Sequence, residues 1–312
     1  TELRARGLEL VLQRGAAGLW NMRGLPGQQQ AGGDPFETLE RLGELQVSHA
    51  RLQVLAPELG LKLQVPRIDL RMRVDGSRIK VGANAWLRSG ATPIAAALDF
   101  DRASGDGRVY AGTRHADLRE FAGSFDLAGV APASGKGRLH AWGQLRAKRI
   151  VAIRADAALD DVVVHGAAAG DGLPPPTQAL GKLVLDARWT GTIRQWQARA
   201  ARLRLGEGDG EQVLDGVVVS GGQRYGLQAR RIDAAPLLQL LALADVLPAG
   251  MRGWLQASSA GAVLEDVDLQ GLRGGALAAS AHIRGLHFAP VGNSPGMRGV
   301  DEIGRASCRE RV

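Results

Sequence analysis

Alternation with a period of two runs through most of this chain, and it dictates strands with one oily and one wet face. Residues i, i+2 and i+4 of a strand point the same way. Leu8, Leu10 and Leu12 alternate with Glu9, Val11 and Gln13. Ile68, Leu70, Met72 and Val74 alternate with Asp69, Arg71, Arg73 and Asp75. Ile79, Val81, Ala83 and Ala85 follow the Gly76-Ser77 turn, so the two runs form a hairpin. Downstream the same period carries Leu139, Ala141 and Leu145; Ile153, Ala155, Ala157 and Leu159; Leu183, Leu185, Ala187 and Trp189. It continues in Ala201, Leu203 and Leu205, in Tyr225, Leu227 and Ala229, and in Ala279, Ala281 and Ile283. Turn chemistry separates these runs at Asp75-Gly76, Ser104 to Gly107, Glu207 to Gly210 and Ser220 to Gly222. Roughly a dozen or more strands arise in this way, spaced like a meander.

Two segments switch to helical period. Asp34-Pro35-Phe36-Glu37 sets an N-cap, a proline at the first position and an acid at the third. Phe36, Leu39, Leu42 and Leu45 then predict one apolar stripe. A second helix begins at Asp233, carries Leu237, Leu238, Leu240, Leu241 and Leu243, and ends at Leu247-Pro248, with a further turn over Met251 to Gln256. Residues 167–178, with Gly170-Asp171-Gly172 and Pro174-Pro175-Pro176, read as a loop or boundary. No fixed-period repeat is present, which argues against a regular solenoid.

The last stretch, residues 302–312, reads as a translated sequencing adapter and is expected not to be native, leaving residues 1–301 as a piece of a longer protein. The one cysteine, Cys308, falls in that tail, so the rest offers no disulfide framework, thiolate metal site or thiol nucleophile. The tail holds three Arg and two Glu, and without it the formal charge falls from +7 to +6. Of 39 basic residues only Lys62, Lys80, Lys136, Lys148 and Lys182 are lysines. The arginines are scattered among acids, and aromatic residues are few, so the surface lacks the basic runs and stacking platforms of a nucleic-acid binder. No apolar run reaches the ~18 residues of a membrane-spanning helix; the nearest, 234–250, is broken by Gln239, Asp245 and Pro248.

Signals of catalysis are thin. Gly292-Asn293-Ser294-Pro295-Gly296 fits the G-x-S-x-G pattern, which works only where a strand, a sharp turn and a helix present the serine. Pro295-Gly296 followed by Met297-Arg298-Gly299 predicts a turn instead. His282 and His287 are five apart, unlike the i, i+4 pair of a helical zinc site, and the remaining histidines (49, 115, 140, 165) are isolated. Asp160-Asp161 and Glu207-x-Asp209 lack the twelve-residue calcium-loop pattern. No phosphate-binding glycine loop follows a strand. The reading is a non-enzymatic protein with no cofactor and no metal.

So many strands create a large apolar face. A sandwich or barrel would bury it against itself. An open sheet would leave a long trough, which soluble monomers rarely expose without a partner. The pattern alone leaves both open.

The C-terminal third bears on that choice. Leu247-Pro248-Ala249-Gly250-Met251-Arg252-Gly253-Trp254-Leu255, then Gly261 to Leu269 (GAVLEDVDL), resembles the YhdP branch of the AsmA-like family. Ala281 to Pro290 (AHIRGLHFAP) with Pro295-Gly296-Met297-Arg298-Gly299-Val300-Asp301, and Gly18 to Gly27 (GLWNMRGLPG) near the start, are similar to the same family, Val300-Asp301 departing slightly from its pattern. The resemblance covers both ends and is loose between them.

It implies a mostly β fold: a long twisted antiparallel sheet curled into an open hydrophobic groove, with two or three short helices. It further implies a periplasmic location, anchored to the inner membrane by an N-terminal helix not present in this sequence. The implied role is phospholipid transport between inner and outer membrane, supporting the permeability barrier, with phospholipid acyl chains and envelope proteins as partners. A scaffold assisting outer-membrane protein assembly, as in the TamB branch, is the alternative. The alternate-position residues expected to line the groove are Leu8, Leu10, Leu12, Ile68, Leu70, Met72, Val74, Ile79, Val81, Leu183, Leu185, Leu203, Leu205, Leu227 and Ile283.

Overall fold

The structure is a computed structural model that describes residues 2–15, 19–24, 40, 43–121, 124, 129–166, 175–192, 194–206 and 211–308. Among these it is mostly β, with eighteen strands in one open, antiparallel-rich sheet and two α-helices. Two compact units divide the chain: one holds residues 1–126 and 137–153, the other 127–136 and 154–312. The long strands β9 (Ala131–Arg146) and β10 (Arg149–His165) contribute residues to both.

In the first unit, β4 (Glu44–Ala56), β5 (Leu61–Asp75), β6 (Arg78–Trp86), β7 (Ile94–Asp101) and β8 (Asp106–Asp117) form an antiparallel meander. The expected hairpin is there: Val74 opposes Ile79 and Asp75 opposes Arg78. Gly76 takes φ 54°, the left-handed region that its turn requires.

At the opposite edge two parallel pairings join the otherwise antiparallel strands. β1 (Glu2–Arg6) and β2 (Glu9–Arg14) both run parallel to β4, and β3 (Trp20–Arg23) folds back on β2. β1 and β2 act as one strand kinked at Gly7, whose N–H donates to the Ser48 carbonyl at 3.0 Å. β4 is bulged alongside, at His49 (φ 55°), and the His49 N–H donates to Asp69 Oδ1 at 2.7 Å. The bulge shifts the phase so that Val47 and Ala50 both point inward. Alternation in one sequence window cannot reveal which strand lies alongside, so parallel pairing was not legible.

Register turns the alternation into rows. Leu3, Leu45, Met72, Val81, Leu98 and Val109 are successive cross-strand partners, one per strand. One residue away, Glu44, Arg73, Lys80, Asp99 and Arg108 form a charged row on the other face. Of the helix expected from Asp34, Phe36, Leu39 and Leu42 lie outside the described residues; Glu40 is helical, and Leu45 belongs to β4.

In the second unit β11 (Thr177–Thr192), β12 (Gln195–Leu205), β13 (Gln212–Leu214), β14 (Val217–Gly222), β15 (Arg224–Asp233), β16 (Gly261–Leu272), β17 (Leu277–Phe288) and β18 (Met297–Cys308) pair antiparallel. Of the expected boundary loop, residues 167–174 lie outside the described residues, while Thr177 and Gln178 begin β11. Trp189, Ala198, Val219, Leu227, Leu269 and Ala279 make one cross-strand apolar row. A bulge opposite Asp186 and Ala187 throws Ala201 out of phase, so Ala201 is exposed rather than apolar-facing as its spacing predicts.

Between β15 and β16 the chain forms α1 (Ala234–Leu243) and α2 (Ala249–Ser258). The expected start at Asp233 holds: its Oδ1 accepts from the Ala235 N–H at 3.1 Å, satisfying a donor the helix cannot use internally. α1 stops at Leu243, short of Leu247, and Met251 to Gln256 lies within α2. α1 packs on β16 and reaches β11, and Leu243 lies against Gly166.

Candidate functional site

In each unit the apolar residues on one face of its strands are the candidate site, and the two units differ in how far these are covered. In the first unit Leu10, Ile68, Leu70, Met72, Val74 and Ile79 join Leu45, Val47, Ala50 and Val65 in one cluster, all buried. Leu8 and Val81 pack half-buried against it. Leu12 lies outside the cluster, half-buried between Met22 and Val54. The centre of this face is therefore covered by its own chain.

The second unit is more open. Leu205 is buried with Leu214, Ala229 and Ile232, and Leu183, Leu203 and Leu227 pack half-buried around them. Leu185 opposes Leu203, and Ile283 opposes Leu264; both are half-buried outside the buried centre. Burial is graded along the strands. Ile232, one residue before the cap of α1, is 3% exposed, whereas Tyr225 at the far end of the same strand is 37% exposed.

Two aromatic residues shape that far end: Tyr225, which alternates with Leu227 and Ala229, and Trp196, which periodicity does not single out. Trp196 lies over the bare backbone of Gly221, where a Cβ would meet the indole at 2.5 Å. Tyr225 lies over Gly271 in the same way, a Cβ there meeting the ring at 2.3 Å. Glycine inside a strand, opposite an aromatic residue, is the signal that identifies both.

The opposite face is held wet by ion pairs. Arg78 makes two bonds of 2.7 Å to Asp99, and this contact holds the Asp99 carboxyl below its usual range. Arg67, with help from the His49 N–H, does the same for Asp69. Asp117 is drawn down to about 2, chiefly by its hydrogen bonds from Arg119. Such a sheet separates an aliphatic surface from a charged one across a single layer of backbone, an arrangement suited to amphiphiles.

The other sequence candidates are placed as follows. Val291 and Ser294 exchange backbone hydrogen bonds of 3.2 and 3.0 Å, so Ser294 sits in a tight turn that leads into β18, a strand. The strand–turn–helix elbow that would present a nucleophile is not formed there. Asp160 pairs with Lys182 at 3.5 Å, and His282 with Asp266 at 3.4 Å. Glu207 and Asp209 lie outside the described residues. Among the described residues no helix is long and apolar enough to cross a membrane.

The family model described as YhdP protein matches residues 1–307. No curated protein and no solved structure matches the chain.

Proposed function

We propose that this chain, which belongs to the YhdP family, carries the acyl chains of phospholipid on its apolar strand faces between the inner and outer membranes. Membership suggests a role in envelope lipid transport; the phospholipid, the periplasmic location and the membrane anchor supplied by the rest of the protein belong to this proposal.

One observation carries it. The apolar row from Trp189 to Ala279 continues through six strands, and every member is half-buried. Leu183, Leu185, Leu203, Leu227 and Ile283 give acyl chains a surface there. Leu8, Leu12 and Val81 do so at the margins of the first unit, where Leu10, Ile68, Leu70, Met72, Val74 and Ile79 form the packed support. Each buried methylene contributes about 0.8 kcal/mol, so a sixteen-carbon chain gains on the order of 12 kcal/mol. The aliphatic lining supplies few directional contacts, which lets a chain slide while the headgroup stays in water. The protein acts without chemistry on its cargo.

Native mass spectrometry of the chain purified from bacterial envelopes tests this reading. Adducts with phospholipid masses are expected; a protein that flies bare from gentle conditions and takes up no added phospholipid refutes it.

A further inference from the structure

Arg188 on β11 and Arg199 on β12 are direct cross-strand partners on the polar face of the second unit, and both are exposed. Like charges placed directly opposite destabilise a sheet. Three other arginines of this unit are matched: Arg154 to Asp186 at 3.1 Å, Arg204 to Glu211 at 3.5 Å and Arg230 to Asp215 at 2.8 Å. Arg199 has Val218 as its neighbour on the other side, and Asp186, two residues back along β11, is taken by Arg154.

A cleft of about 650 Å³ begins at Val218, the cross-strand neighbour of Arg199, and Arg224 also lines it. Gln197, Ser220, Gly226 and Gln270 are successive partners across it, and Val218 opposes Gln228. Gly226 leaves the floor bare: a Cβ at that position would lie 3.2 Å from Ser220 Oγ. Side-chain amides donate and accept, which suits hydroxyl groups. Guanidinium forks suit phosphate oxygens.

We propose that this surface binds a phosphorylated polyol, with the phosphate held between Arg188 and Arg199 and the hydroxyls bonded to Gln197 and Gln228, while Gln270 is engaged by Asp268. Two strand spacings, about 10 Å, separate the strand of Arg199 from that of Gln228, a span that a glycerol or hexose phosphate fills with side chains reaching inward. A soluble phosphopolyol and a phosphoglycerol lipid headgroup present the same chemistry. The site lies on the face opposite the apolar rows, so it stands whether or not those rows carry lipid.

Titration calorimetry of the whole chain with glycerol 3-phosphate, inorganic phosphate and glycerol tests it. Glycerol 3-phosphate binds about tenfold tighter than inorganic phosphate, and glycerol alone gives no heat. Arg188→Gln and Arg199→Gln each weaken both phosphates about tenfold. Gln228→Leu weakens glycerol 3-phosphate and leaves inorganic phosphate unchanged. Co-sedimentation with phosphatidylglycerol vesicles separates the sources: loss of sedimentation in Arg199→Gln assigns the lipid headgroup, and unchanged sedimentation beside lost calorimetric binding assigns the soluble ligand. Equal affinity for the two phosphates, or binding unaltered in both arginine variants, overturns the proposal.

Discussion

The rings of Trp254 and Phe288 meet with centroids 5.6 Å apart, tilted by 59°. The contact joins two of the sequence motifs that resemble the YhdP family: Trp254 sits in α2 and Phe288 at the end of β17. Just beyond, the Ala289 N–H donates to the Ser258 carbonyl at 2.6 Å, and Ser258 is fully buried. The helix pair is thereby fastened to the sheet next to the buried end of the apolar face. Replacing Phe288 by Ala is expected to cost about 2 kcal/mol, because both rings are half-buried and lose area and edge contact together. Urea unfolding followed by tryptophan fluorescence reads it; an unchanged midpoint would mean that the helices are held by other means.

The two units predict unequal responses to the same truncation. Leu45 is 1% exposed within the packed cluster. Leu45→Ala should cost about 3 kcal/mol, and Leu227→Ala, at a half-buried position, about 1 kcal/mol. Chemical denaturation of both variants checks this. Equal losses would show that Leu227 belongs to a sealed interior.

Gly166 is packed so tightly that a Cβ there would lie 2.7 Å from the Leu243 carbonyl oxygen and 3.1 Å from its Cα. These are backbone atoms of α1, which cannot swing aside as a side chain can. Gly166→Ala is expected to destabilise by about 1–3 kcal/mol and to loosen α1. Hydrogen exchange of the α1 amides and a thermal melt would reveal it, and a variant with wild-type protection would contradict the close packing.

Asp117 gives the acid limb a definite sign. Its carboxyl titrates at about 2 in the folded chain, held down first by hydrogen bonds from Arg119 and further by the charge of Arg88. A depressed folded value means stability that is present above the unfolded value, about 3.9, and is lost as pH falls from there through 2. Arg119 is half exposed, so solvent screening leaves this contribution near 1 kcal/mol. Asp117→Asn should flatten the loss of stability between pH 4 and 2 by about that amount. An identical acid profile in the variant would remove Asp117 from the account.

The face assignments were readable because a period of two is a local property. Leu70 and Arg71 part company in any strand, whatever lies beside it. Asp233 as a cap was readable for the same reason, since a carboxylate that accepts from the second helical N–H needs only its own neighbours. Distant partners are not local. The parallel pairing of β1 with β4 follows from a kink at Gly7 matched by a bulge at His49, and neither half identifies the other in sequence. Ala201 kept the period yet lost the face, because the bulge is defined against β11. Trp196 over Gly221 escaped for a related reason: its partner lies on another strand. How much of the apolar face stays open was likewise invisible, since burial of Leu70 and half-burial of Leu203 depend on what packs above them.

Lipid carriage on one strand face requires contact at alternate positions only, and photo-crosslinking from neighbouring residues measures it. A photoreactive residue is placed at Leu203 or at Arg204, and in parallel at Val81 or at Lys80, in cells labelled with radioactive phospholipid precursors. Label is expected at 203 and 81, on the apolar face, and only at background level at 204 and 80. Equal label at both members of each pair, or none at either, would contradict a lipid-carrying face.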